Sequence, residues 1–230
     1  MPRRVLRAMN RPSDVDMTRR LVDHARTKLS DLAMRTTLIV GYPGETEKQF
    51  QTLLTFVEEM EFDHVGVFTY SPEAGTKAAT LENPVPAEIA VERRNAIMEA
   101  QQKISLKRNR SLIGSKLEVL IEGVGESEDS RGTVEPISAG RARRHAPEVD
   151  GMVFVPGSLP VGSLVEVEIT DALPYDLWAR NPDPAYASPV NGQHLARRHR
   201  PVRGHRSRVV NRSERRGQGR PVPMAMLAET

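Results

Sequence analysis

The spacing of apolar residues changes character near residue 114. Before it, apolar positions recur at helical spacing, interrupted by two short runs rich in β-branched residues; from Lys116 they alternate. A chain patterned this way folds as an α/β unit followed by a small all-β unit. Asp14 or Ser13 can cap a helix through about Leu29, with Met17, Leu21 and Ala25 expected on one face. The segment from Ala33 to Val40 then reads as a buried strand, and Gly41, Pro43 and Gly44 break it. Thr46 and Gln49 fit a capping box for a helix with Phe50, Leu53, Leu54 and Val57 on one side, ending near Met60. "HVGVFTY", His64 to Tyr70, is a second strand. These elements make a βαβ unit, and the turns "GYPGET" and "SPEAGT" fall at the strands' C-terminal ends, where ligands sit in parallel sheets. A long helix is expected from about Pro86 to Ser111, with Ile89, Ile97, Ala100 and Ile104 on one side and Gly114 as its stop.

Leu117, Val119 and Ile121 alternate in "KLEVLIEG", "MVFVPG" is a short apolar run, and Val165, Val167 and Ile169 alternate again. Gly and Pro turns between such strands indicate a small antiparallel β-barrel or sandwich, with boundaries near 114 and 178. Beyond Trp178 the chain has eleven Arg and no Lys against Asp183, Glu214 and Glu229, leaving 22 basic and 27 acidic residues before it. The pI of about 9.4 therefore describes the tail rather than the body. With no apolar period and many Pro and Gly, residues 179–230 are expected to be disordered. No apolar run is long enough to span a bilayer and the N-terminus lacks an apolar signal core, so a cytoplasmic location and no membrane partner are expected.

The turn from Gly41 to Glu45 has two readings. It is a strand-to-helix connection closed by glycines, or a place where backbone groups meet a nucleotide-like ligand. It is neither a Walker loop nor a G-x-G-x-x-G fingerprint. His24 and His64 have no partner at metal-ligand spacing and read as structural or surface residues. Arg141, Arg143, Arg144 and His145 could meet RNA phosphate or an acidic protein surface, or could simply protect a solvated barrel edge. The chain contains no cysteine, which excludes disulfides, zinc thiolate sites and any cluster held by its own thiolates.

Five stretches together, "VLRAMNRP" (Val5 to Pro12), "TTLIVGYPGET" (Thr36 to Thr46), "FTYSPEAGTKAA" (Phe68 to Ala79), "GRARRHAPEVDG" (Gly140 to Gly151) and "DALPYDLW" (Asp171 to Trp178), closely resemble the radical S-adenosylmethionine methylthiotransferases. The resemblance is to the RimO type, which modifies an aspartate of a small-subunit ribosomal protein. It covers roughly residues 3 to 178 and implies that residues 1–111 are the C-terminal half of a radical-SAM partial (β/α) barrel and 112–178 a TRAM domain, an OB-like β-barrel. By the same resemblance, Ile39, Gly41 and Glu45 shape a pocket for the adenosine part of S-adenosyl-L-methionine, with Phe68 and Tyr70 near the adenine. Arg141, Arg143 and Arg144 would belong to a surface that meets the macromolecular substrate, a ribosomal protein or RNA.

The family's 4Fe-4S clusters are held by cysteines that this chain lacks. The expectation is therefore a fragment inactive alone, from a truncated gene or incomplete gene model, with no catalytic or metal-ligating residue and a non-native tail after Trp178. The sister group that methylthiolates an adenosine in transfer RNA is the alternative within the family. "HAPEVDG" and "YDLW" favour the ribosomal-protein branch. A stand-alone TRAM module binding RNA or protein is the alternative outside enzymes.

Overall fold

The computed structural model of the chain describes residues 2–29, 31–128 and 132–181, so the tail expected to be disordered lies outside the described residues from 182 onward. The chain begins with a helix the sequence reading did not anticipate, α1 (Arg3–Ala8), which buries Val5 and rests Leu6 on the α/β core. Asn10 takes a positive φ of 53°, the Arg11 N–H returns to the Leu6 carbonyl at 2.8 Å, and Pro12 bars continuation.

Helix α2 (Val15–Lys28) is capped by Asp14, whose side chain accepts from the Met17 N–H at 2.9 Å. Its buried residues are Val15 and Val22, whereas Met17 and Leu21 are 61% and 63% exposed. The expected stripe on Met17, Leu21 and Ala25 is thus corrected. At about 100° per residue, Met17 stands some 200° round the helix from Val15, so the valines claim the core side and the longer apolar pair faces outward.

Strands β1 (Arg35–Val40) and β2 (His64–Thr69) pair in parallel, Arg35 opposite His64 and Ile39 opposite Phe68. Helix α3 (Glu47–Met60) connects them, with the capping box of Thr46 and Gln49 formed as the sequence indicates. Helix α4 (Ala87–Arg110) lies across both strands, and Pro86 stands at its N-cap. Leu38, Val40, Val65 and Val67 point from the sheet into a core shared with Phe50, Leu53, Phe56, Val57, Ile97 and Ile104. Strand residues alternate in direction. Thr37, Ile39, Gly66 and Phe68 therefore form the opposite face, where Ile39 is 39% and Phe68 62% exposed. The inward stripe of α4 is Ala90, Arg93, Ile97, Gln101, Ile104 and Ser105. Ile89, expected on it, is 36% exposed.

The remaining strands are β3 (Lys116–Glu128), β4 (Val134–Ala142), β5 (Val153–Pro156), β6 (Leu164–Ala172) and β7 (Leu177–Arg180), closed into a barrel in the order β3-β4-β5-β7-β6. Val119, Ile121, Val153, Val155, Leu159, Val167, Ile169 and Leu177 fill it. Gly140 on β4 allows the close approach to β3, because a β-carbon there would lie 2.3 Å from the Leu120 carbonyl oxygen. Strand β7 continues two residues past Trp178, burying Ala179 and pairing Arg180 with Glu168 at 2.8 Å. The fold is thus α/β plus a small closed β-barrel.

Candidate functional site

At the C-terminal end of the sheet, β1 runs into a turn in which Gly41 and Gly44 adopt φ of 76° and 77°. Glycine has no steric objection to this region. At Gly41 the need is double, since a β-carbon there would meet the Ala90 side chain at 2.6 Å. Glu45 folds back beneath the turn. Its Oε2 accepts from the Gly41 N–H at 2.7 Å and from Arg93 Nη1 at 2.9 Å, and Arg93 Nη1 also reaches the Glu45 carbonyl at 3.2 Å. The two side chains are 1% and 7% exposed. Arg93 extends to Glu47 at 3.3 Å and covers the Phe50 ring. The turn is therefore braced from behind by a buried ion pair, and its upper side stays open: nothing lies within 4 Å of where a Gly44 β-carbon would stand.

Four contacts fix the surroundings of the turn. The Gly44 N–H donates to the Asn83 carbonyl at 2.8 Å, and the Tyr70 N–H to that of Val40 at 2.8 Å. Tyr42 donates its hydroxyl to the Ala8 carbonyl at 3.2 Å, seating α1 beside the turn. The rings of Tyr42 and Tyr70 meet edge-on at 5.3 Å. Tyr70 Oη is buried with no hydrogen-bond partner. Ile39 and Phe68, side by side by register, form an apolar shelf leading to this rim. Ile39, Gly41, Glu45, Phe68 and Tyr70 are thus brought to one end of one sheet. Glu45 is the exception in kind, because its carboxylate shapes the turn without facing the open side.

Arg141, Arg143 and Arg144 are elsewhere. Arg144 is 13% exposed and holds Asp63 at 2.8 Å, at the N-terminal end of β2. Arg141 pairs with Glu122 at 2.9 Å, and Arg143, 86% exposed, stands 3.5 Å from Asp31. The barrel joins the α/β unit here. Asp63 also takes Arg108 at 2.8 Å and the Met34 N–H at 2.9 Å, while Asp150 takes Arg35, His64 Nδ1 at 3.1 Å and the Ala146 N–H at 2.6 Å. His145 accepts from the Ala142 N–H at 3.3 Å and packs edge-on against His64. Burial, then the Arg144 charge, pushes the His145 pKa down to about 4, and burial lowers that of His64. On the barrel's other flank Asn109 donates to the Leu173 and Pro174 carbonyls. The joint sits at the start of the strands and the glycine turn at their end, roughly 17 Å away along six-residue strands.

Sequence reading did not single out Arg93, Asp63 or Asp150. Arg93 alone had a visible signal, a charge set within the helical stripe of Ala90, Ile97 and Ile104. Among the described residues no group of His, Asp or Glu has the geometry of a metal site. No helix among them is long and apolar enough to cross a membrane.

Residues 113–181 match the family model of the TRAM domain. Three bacterial relatives, each named ribosomal protein uS12 methylthiotransferase RimO, match more of the chain. That of Roseiflexus castenholzii is 49% identical over 75% of this chain and 35% of its own length. That of Thermosynechococcus vestitus is 49% identical over 76% and 37%. A Synechococcus relative reaches 52% over 75% and 36%. The α/β unit with its glycine-rich rim and the closed barrel together fall within the stretch similar to these relatives. Three quarters of the chain thus matches the C-terminal part of RimO-type methylthiotransferases, the TRAM domain included. It spans little more than a third of the length of these relatives.

Proposed function

We propose that this chain supplies the adenosine-facing part of an S-adenosylmethionine site, together with the TRAM barrel, of a methylthiotransferase acting on an aspartate of a small-subunit ribosomal protein. The observation that carries this is the rim itself. An exposed apolar pair, Ile39 and Phe68, leads to an open glycine turn and to a buried Tyr70 hydroxyl without a partner. A flat heteroaromatic ring lying on the shelf would cover apolar surface and give that hydroxyl a hydrogen-bond partner, both favourable. Arg93 and Glu45 act as positioning residues by holding the turn's backbone, and Phe68 and Ile39 exclude water from one side of the ring.

The 4Fe-4S cluster of the family does not fit the residues present. Such clusters are ligated by thiolates, and this chain has none. When bound, the cluster supplies the electron that makes S-adenosylmethionine reactive, so on its own this chain binds the cofactor without turning it over. Residues 112–178 form the TRAM domain in this reading, and residues 1–111 the barrel part. The ribosomal-protein branch is preferred to the transfer-RNA branch because the relatives at 44% to 52% identity carry that name.

Titration with S-adenosylmethionine, followed by calorimetry, tests the assignment. Binding that weakens at least tenfold in Phe68→Ala and in Ile39→Asp is expected. No binding by the folded chain, or binding indifferent to both substitutions, would refute it.

A further inference from the structure

Cations are distributed unevenly over the surface. Every described Lys and Arg of the barrel has a carboxylate partner: Lys116 with Glu166, Arg141 with Glu122, Arg143 with Asp31, Arg144 with Asp63 and Arg180 with Glu168. The first two helices differ. Residues 2–29 contain eight basic and three acidic residues, against 14 basic and 24 acidic from there to Trp178. Arg4, Arg11 and Arg20 are exposed and have no ion-pair partner among the described residues, and Arg7 has only the Ser13 hydroxyl at 3.2 Å. Arg3, Arg7 and Arg20 line one cleft of about 400 Å³ between α1 and the start of α2 together with Ser13, Asp14 and Asp16, of which Asp16 pairs with Arg3 and Asp14 caps α2, leaving Arg7 and Arg20 without a carboxylate. The Tyr42–Ala8 hydrogen bond seats α1 beside the glycine turn, so this basic surface borders the rim.

We infer that α1 and the first turns of α2 form a docking surface for the phosphate backbone of RNA, next to the rim, and that the barrel's arginines do not. Unpaired guanidinium groups match phosphate oxygens in geometry as well as charge. From residue 30 to Trp178 the acids exceed the bases by ten, so the folded body attracts a polyanion to this surface ahead of the others, which orients the encounter. The inference rests on the reading of the rim as the reaction's location, since a ribosomal protein is presented among RNA.

The test is a fluorescence titration of the full chain with a labelled RNA hairpin over a range of salt, comparing the triple variant Arg4→Gln, Arg11→Gln, Arg20→Gln with a control triple at Lys48, Arg94 and Arg110. The controls are likewise exposed and have no carboxylate partner among the described residues. The tail contributes equally to all three proteins. Each lost phosphate contact removes about 0.9 from the slope of log affinity against log salt, so the patch variant is expected to lose about 2 to 3 in slope while the control keeps the wild-type value. Thermal melts matching wild type establish that the variants fold. Absence of RNA binding, an unchanged slope, equal losses in both triples, or patch-dependent binding of polyglutamate in place of RNA would each overturn the inference. None of these outcomes touches S-adenosylmethionine binding, which Phe68 reads separately.

Discussion

Arg93 and Glu45 together decide the shape of the glycine turn. A carboxylate 1% exposed and a guanidinium 7% exposed are tolerated because each is paired and hydrogen-bonded. Removing one partner strands the other in a dry site, which costs about 3 to 5 kcal/mol. Arg93→Ala should therefore lower the urea midpoint sharply. Adding Glu45→Gln to it should restore part of the loss, because no uncompensated charge is then buried. A double variant no more stable than Arg93→Ala would show that the pair's charge is not what matters. Glu45 also illustrates how a residue can be placed at a turn by its sequence context and still face away from that turn's open side. Neither its contact with the Gly41 N–H nor the arginine that arrives from a helix 48 residues later was legible in the sequence.

Among the secondary-structure elements, legibility followed burial pattern. Helix α3 could be read to its ends because cap, capping box and apolar stripe agree. Strands β1 and β2 were legible because β-branched runs with little charge have few other stable environments. Helix α2 misled because its apolar residues outnumber the places the core offers, and Val15 and Val22 take them. On α4 the buried side includes Gln101, Ser105 and Asn109, which hydrogen-bond loop carbonyls at Phe62, Asp63 and Leu173. Polar residues that donate to distant backbone carbonyls leave no apolar period behind. Strands β4 and β7 escaped notice for related reasons. The interior of β4 includes Ser138, bonded to Gly157 and Leu159, and β7 is only four residues long. The strand-end rule and family likeness singled out Ile39, Gly41, Glu45, Phe68 and Tyr70, which do lie together at one end of the sheet. The joint at Asp63 and Asp150 was not legible, since the pairs that bridge barrel and α/β unit, Asp63 with Arg144 and Arg35 with Asp150, lie 81 and 115 residues apart in sequence.

For the whole molecule, that joint couples the two units, and its chemistry predicts a pH dependence. His145 is surrounded by Arg144, His64 and Asp150, with Asp63 and Arg35 beyond, and stays neutral until about pH 4 instead of 6.5. The unfolded chain takes up the proton that the folded chain refuses, so stability is complete above about pH 6.5 and is lost as pH falls toward 4, by roughly 3 kcal/mol for this residue. His64 adds to the loss in the same direction. Urea midpoints should fall between neutral pH and about pH 5, and His145→Gln should flatten that dependence; an equal slope in the variant would move the cause elsewhere.

The molecule as a whole thus has an open glycine-rich rim bordered by basic helices at one end of its sheet and an ion-paired joint to the TRAM barrel at the other, and the chain carries no thiolate. Anaerobic incubation with iron, sulfide and S-adenosylmethionine, followed by desalting, iron assay and analysis for 5′-deoxyadenosine, tests this most directly. Bound S-adenosylmethionine, no retained iron–sulfur absorption and no 5′-deoxyadenosine are expected. A stoichiometric cluster with release of 5′-deoxyadenosine from this chain alone would contradict that expectation.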